Sequence, residues 1–187
     1  EENHGAVFEE GGLNCLIDLT NSSDEVCQRY AAMGLRFLSS NSMVRVEIVR
    51  QGLLQPFLHL AQSPILDFQR TAAAAFSSFS LNEINKSKLV REGALAQILV
   101  CIRYKDLEVQ RDCAFALANI ADSAEYQNDV VREGGLEVLS AVSVCPDARV
   151  QRDVARALST LSQPAHIHLP ILEKGCLDAL FTWARSL

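Results

Sequence analysis

The sequence lacks the patterns that announce a membrane-spanning chain, a secreted chain or an enzyme. No apolar run approaches the ~20 residues that a membrane span needs. The start, EENHGAVFEE, has neither a basic stretch nor an apolar core, so no signal peptide is visible. Basic residues are outnumbered, and the formal net charge of −6 argues against a general nucleic-acid binder. Six cysteines are present (15, 27, 101, 113, 145 and 176), but none form a CxxC and no paired-histidine framework accompanies them. A zinc site is therefore not expected, and the cysteines read as small buried apolar residues in a reducing compartment. His166 and His168 form an HxH, yet residues two apart on a helix point to different sides and no third ligand lies near. There is no Gly-rich phosphate loop, no GxSxG and no Cys–His nucleophile arrangement, so neither catalysis nor a cofactor is expected. What is present is the composition of a folded domain: 49% hydrophobic and 21% charged residues exclude wholesale disorder.

The positive signal is a period. The pair Gln-Arg recurs at 28–29, 69–70, 110–111 and 151–152, always 41 residues apart. Gly11, Gly52, Gly93, Gly134 and Gly175 fall on the same period, each followed two residues later by a leucine: Leu13, Leu54, Leu95, Leu136 and Leu177. An apolar pair precedes each glycine: Val7-Phe8, Ile48-Val49, Leu89-Val90, Val130-Val131 and Ile171-Leu172. A period of this length marks a repeat architecture. The copies run 11–51, 52–92, 93–133 and 134–174, with the end of a preceding repeat at 1–10 and a partial repeat at 175–187.

Each unit reads as three helices. A short first helix ends at the glycine, where the corner calls for positive φ. The second helix follows at once; in ALAQILVCIR, Leu95, Ile98, Leu99 and Cys101 form an apolar stripe at helical spacing. At the Ile98 position the other copies carry Leu16, Phe57, Leu139 and Leu180. Asp24, Asp106 and Asp147 stand where they can cap a long third helix, and Pro64 and Pro146 lie just outside it. That helix carries four matched inward columns. They are Cys27, Phe68, Val109, Val150; Ala32, Ala73, Ala114, Ala155; Leu35, Phe76, Leu117, Leu158; and Leu38, Phe79, Ile120, Leu161. The alanine column predicts close approach between helices. A unit this small must bury its faces against its neighbours, so an all-α solenoid is expected. Pro170 predicts a distorted first helix in the fourth copy, and Trp183 in an apolar column suggests a fragment of a longer array, able to self-associate through its uncapped C-terminal end.

The pattern V-x-E-G-(G/A)-L followed by V-Q-R-x-x-A-x-x-L-x-x-I resembles the armadillo repeat over essentially the whole chain. The resemblance implies a right-handed superhelical solenoid of three-helix repeats whose third helices line a concave groove for extended peptides or partner helices. On those helices Arg29, Met33, Phe37; Arg70, Ala74, Ser78; Arg111, Phe115, Asn119; and Arg152, Arg156, Thr160 share one face, at i, i+4 and i+8. The nuclear-import adaptors of the family carry Trp and Asn four residues apart in this groove to bind basic peptides. Phe115 and Asn119 match that pair loosely, and the only Trp lies in a different helix. The arginines point instead to an acidic or phosphorylated segment, and Phe37 and Phe115 add exposed apolar anchors. A second job is open to the arginines: pairing with acids of a neighbouring repeat, such as Asp112, Glu108 or Asp153, with the adjacent Gln bonding backbone between repeats.

The expected function is a non-enzymatic protein-interaction scaffold or adaptor in the cytoplasm, binding a protein or peptide of acidic and apolar character in the groove. The QR columns resemble those of small armadillo-only scaffolds, which implies a place on the cytosolic face of an organelle, reached through a lipid anchor or a partner outside this chain. The alternatives are the recognition module of a larger protein, such as an armadillo-bearing ubiquitin ligase, and a nuclear-import-type receptor.

Overall fold

Three of the long third helices start at an aspartate that satisfies free backbone N–H groups of the first turn. Asp24 accepts from the amide of Val26, Asp106 from Val109, and Asp147 from Arg149 and Val150. These are the three aspartates expected to cap. The second copy has Ile65 at that position, and there the hydroxyl of Ser63 takes the Ile65 amide instead. The structure is a computed structural model that describes Val7, residues 9–178 and Phe181. Phe8, Leu180 and Trp183, named above in apolar positions, lie outside the described residues.

The described residues are helical with no strand among them. In chain order the helices are α1 (Gly12–Leu19), α2 (Glu25–Ser40), α3 (Ser42–Arg50), α4 (Gln55–Gln62), α5 (Leu66–Phe79) and α6 (Glu83–Arg91). They continue as α7 (Ala94–Cys101), α8 (Leu107–Ala121), α9 (Gln127–Arg132), α10 (Gly135–Val142), α11 (Ala148–Leu161) and α12 (His168–Glu173). The five periodic glycines all take positive φ, between 68° and 89°, and no other residue type does among the described residues. At Gly134 this corner is tight enough to constrain the next residue as well. A Cβ on Gly135 would fall 2.7 Å from the carbonyl oxygen of Val130, so Gly135 admits no side chain without a shift, while Gly134 is constrained by its φ of 86°.

The chain divides into two compact units, 1–97 and 98–187. In the first, α1 packs on α2, α4 on α5, and the long helices α2 and α5 pack on each other. Phe57 of α4 meets Phe79 of α5 edge to face, with centroids 5.2 Å apart, and Phe68 and Phe76 are buried beside them. Burying each such ring contributes up to about 3 kcal/mol, and the second and third helices of a copy are thereby fastened together. Lys88 of α6 reaches back to the carbonyls of Val49 and Arg50, at 2.7 and 3.1 Å, where its charge meets the C-terminal end of α3. In the second unit α8 packs on α11, and α10 on α11. Val109, Ala114, Leu117 and Ile120 of α8 are buried there, as are Val150, Leu158 and Leu161 of α11.

Three expectations are corrected. Cys15 and Cys27 are exposed, whereas Cys101, Cys113, Cys145 and Cys176 are buried. Cys27 shares its column with Phe68, Val109 and Val150, but its thiol turns to the cap of its own helix and donates to Asp24 at 3.5 Å. Ala155 is only half-buried; it lines an open cavity of about 340 Å³ with Leu158, Ser159, Ser162, Ile171, Cys176 and Leu177. The first helix of the fourth copy is indeed irregular, a 3-10 turn over Ala165–Ile167 followed by α12. Pro170 is not the cause. The third copy has the same break, a 3-10 turn at Ala124–Tyr126 before α9, with no proline in it. Pro170 sits in the first turn of α12, where a missing N–H leaves no bond unmade.

Candidate partner-binding face

The Gln-Arg column has two separate jobs. Gln28, Gln69 and Gln151 each donate a side-chain N–H to the carbonyl six residues back, on Ser22, Ser63 and Cys145, at 2.6, 2.8 and 3.0 Å. These bonds close the loop that enters the glutamine's own helix, and so lie within one copy rather than between copies. Gln110 alone makes a contact between copies, where its side-chain oxygen accepts from the thiol of Cys145 at 3.5 Å.

Two of the arginines, Arg29 and Arg111, reach forward to the next copy. Arg29 of α2 pairs with Asp67 of α5 at 3.1 Å, and also with Glu25 of its own helix. Arg111 of α8 pairs with Asp147 at the start of α11, donating from Nε at 3.0 Å and from Nη2. The acids differ from the expected Asp112, Glu108 and Asp153. The guanidinium extends towards the first turn of the following third helix, not sideways to its own column. Arg111 holds the Asp147 carboxyl down to about 2, below its ordinary 3.8, with help from the two cap amides. Arg70 stands 4.0 Å from Asp67. Arg152 is exposed and has no hydrogen-bond or ion-pair partner among the described residues.

In the first unit the expected face is open. Met33 and Phe37 are 44% and 60% exposed, far more than side chains of their kind in a core. Val26 and Tyr30 stand beside them, also exposed, so α2 shows Val26, Tyr30, Met33 and Phe37 at steps of four, three and four. This is the seam spacing of helices that pair side by side. The Arg column marks one phase of the helix and leaves out Val26 and Tyr30, whose sequence signal is the apolar stripe at this spacing. Ala74 and Ser78 of α5 are half-buried, and the Ser78 carbonyl accepts from Arg45 at 3.1 Å.

In the second unit the face is occupied by its own groups. Phe115 is half-buried and lies under the guanidinium of Arg156, 5.4 Å from ring centroid to Cζ. Asn119 is buried, with Oδ1 accepting from Arg156 at 2.9 Å. Arg156 also meets Asp122 at 2.6 Å and Asp153 at 3.1 Å. Thr160 returns its hydroxyl to the carbonyl of Ala157 at 3.0 Å. The expectation of an exposed Phe115 anchor is therefore corrected: the neighbouring helix supplies a cation that covers it.

His166 and His168 take different partners, the Asn128 side chain at 2.7 Å and the Ser162 carbonyl at 2.8 Å. Among the described residues no group of three His, Cys, Asp or Glu is placed to hold a metal ion, and no helix is long and apolar enough to cross a membrane.

No family model matches the sequence, and no curated protein matches it. Solved structures do. An engineered protein is 28% identical over 97% of this chain and 75% of its own, with a TM-score of 0.84. A computationally designed armadillo repeat protein for modular peptide recognition is 22% identical, covers 97% of this chain and 78% of its own, and gives a TM-score of 0.89. A designed armadillo repeat protein in complex with the peptide (KR)4 is 22% identical over 97% of this chain and 77% of its own, with a TM-score of 0.85. The periodic glycine corners, the three-helix copies and these likenesses together give the conclusion: the chain has the all-α armadillo-repeat fold.

Proposed function

We propose that this chain is a non-enzymatic scaffold that docks an amphipathic helical segment, apolar on one face and acidic at its flanks, along the third helices. The observation that carries this reading is the uncovered stripe Val26, Tyr30, Met33 and Phe37 on α2, with Arg29 alongside. Four large apolar side chains at seam spacing offer water a surface that a partner helix would remove from it. Arg29 remains half-exposed despite its pairs and can add a carboxylate from the partner. The two designed armadillo neighbours, one for peptide recognition and one bound to a peptide, support the use of this fold for holding peptide segments. The six free thiols support action in a reducing compartment, in keeping with the cytoplasm.

The test is a display selection of helical peptides on the whole chain. The expected consensus has apolar residues at steps of three and four flanked by Asp or Glu. Selected peptides should bind Met33→Ala/Phe37→Ala about tenfold or more weakly, because exposed anchors of this kind carry about 1–2 kcal/mol each. The melting temperature of that double variant should stay near that of the parent. A basic consensus, or peptides indifferent to the double variant, would overturn the reading.

A further inference from the structure

The third copy carries two cysteines where the other copies carry aliphatic side chains. Cys101 ends α7 and Cys113 lies on α8, both within the unit 98–187. One period away the same two positions hold Leu60 and Ala72, and Val142 and Val154, all four buried. In the first copy they hold Leu19 and Ala31. The fold asks only for apolar side chains at these places, and sulfur at both belongs to copy three.

The two thiols meet. The Cys113 thiol donates a hydrogen bond to the Cys101 sulfur. The Tyr104 hydroxyl donates to the same sulfur, and the Tyr104 amide donates to the Cys101 carbonyl at 2.9 Å in the turn that ends α7. Two donors aimed at one sulfur favour its thiolate over its thiol. Cys113 keeps its proton, held by the bond to Cys101 and by burial. Both sulfurs lie in the core, at 1% and 0% exposure, while Tyr104 is half-buried. The other two buried thiols have different company. Cys145 donates to the side-chain oxygen of Gln110 at 3.5 Å, and Cys176 to the Leu136 carbonyl at 3.4 Å. Those partners are oxygens, with which a thiol closes no disulfide.

We propose that Cys101 and Cys113 are an oxidisable dithiol, with Cys101 the sulfur that attacks a hydroperoxide and Cys113 the thiol that resolves it into a disulfide between α7 and α8. The Cys101 sulfur attacks one oxygen of hydrogen peroxide, the O–O bond breaks, and the departing hydroxide leaves as water with the Cys101 proton. Cys101 is then a sulfenic acid. The Cys113 sulfur attacks it, the S–S bond forms as the S–O bond breaks, and the second hydroxide leaves as water with the Cys113 proton. Each sulfur gives up one electron, and the peroxide becomes two waters. Hydrogen peroxide is close to water in size, so it needs a smaller local opening than an alkylating reagent does. The bond ties the second helix of copy three to the third, and in a reducing compartment it is transient. The dithiol does not depend on the apolar stripe of α2.

The experiment treats the whole folded chain with hydrogen peroxide in a Cys15→Ser/Cys27→Ser background, which removes the two exposed thiols. Remaining thiols are alkylated after denaturation, and each site is read by peptide mass spectrometry. The expected product is a monomer with Cys101 joined to Cys113, reversed by dithiothreitol and formed about tenfold or more faster than Cys145 or Cys176 is oxidised. It should melt about 5 °C or more above the reduced chain, since the bond closes a loop in the unfolded state. Cys113→Ala and Cys101→Val each borrow the residue that another copy carries at that position, so both should fold. In Cys113→Ala, dimedone should trap a sulfenic acid on Cys101; in Cys101→Val, Cys113 should stay a thiol. Oxidation of all four buried thiols at one rate would show that peroxide acts only on unfolded chains and overturn the proposal. So would a pair that stays reduced under peroxide, or a sulfenic acid on Cys113 in Cys101→Val. If either variant fails to fold, the crosslink in the parent background decides alone.

Discussion

Asp147 serves two helices with its two oxygens: Oδ1 caps α11 by accepting from Arg149 and Val150, while Oδ2 receives the guanidinium of Arg111 from α8. One carboxylate thereby starts one long helix and ties it to the one before. The pairing lowers its pKa to about 2 from an ordinary 3.8, chiefly through the Arg111 bond. A carboxyl with a depressed folded-state pKa contributes stability that is present above its unfolded value and lost as the pH falls through its folded value. The window here runs from near 3.8 down to about 2. Asp147→Asn keeps a capping oxygen but removes the charge. The parent should melt above Asp147→Asn at neutral pH, and the gap should close across that window. A gap that stays constant down to the lower end would show that the ion pair adds nothing.

The glutamines offer a second test. Gln151 donates to the Cys145 carbonyl at 3.0 Å and so pins the loop before α11. Truncation in Gln151→Ala should reduce stability by about 0.5–1.5 kcal/mol. Gln151→Glu, which sets a carboxylate against a carbonyl, should lower it further. Urea unfolding of the two variants gives the order, and a glutamate variant as stable as the parent would remove the loop-closing role from Gln151.

Most of the architecture could be read from the period because the period is local chemistry repeated. A glycine with positive φ, a capping aspartate and an alanine between helices are each decided within one copy or against an identical neighbour. The arginine partners could not be read so easily, since they depend on the offset between copies. Arg111 meets a residue 36 positions on, not 41, because the side chain extends to the next helix's first turn. Copy two has Ile65 where a cap aspartate is expected but carries Asp67, and copy four has Asp147 but Arg149 two residues on. Arg29 and Arg111 each meet the acid that the next third helix offers, Asp67 and Asp147. The cover on Phe115 comes from Arg156 on another helix, which no pattern within one copy encodes.

The thiols should react in two classes. Cys15 and Cys27 are exposed, while Cys101, Cys113, Cys145 and Cys176 are buried. Burial pushes the Cys176 thiol up to about 11, and the hydrogen bond that the Cys113 thiol donates to Cys101, together with burial, raises Cys113 well above the ordinary range. Iodoacetamide at about pH 8 should therefore modify Cys15 and Cys27 in the native protein and reach the others only after denaturation. The Asp24 carboxylate raises the Cys27 thiol by accepting its hydrogen bond and by its negative charge, so Asp24→Asn should speed alkylation at Cys27 and not at Cys15. Peptide mass spectrometry reads each site. Native labelling of Cys113 or Cys176 at the rate of Cys15 would contradict their burial.

The alanine column gives a steric prediction with an internal control. Ala114 is 1% exposed between packed helices, whereas Ala155, its counterpart one period on, lines an open cavity. Extra methylene groups in a close-packed site force neighbours off their rotamers and cost about 1–3 kcal/mol. Ala114→Leu should therefore lower the melting temperature by roughly 2–4 °C for each kcal/mol lost in a chain of this size. Ala155→Leu has room to enter and should melt close to the parent. The comparison isolates close approach from helix propensity, because alanine is replaced by leucine inside a long helix in both cases. If the two variants lose the same stability, the small residue at position 114 reflects propensity alone, and α8 does not approach its neighbours closely enough for its size to matter.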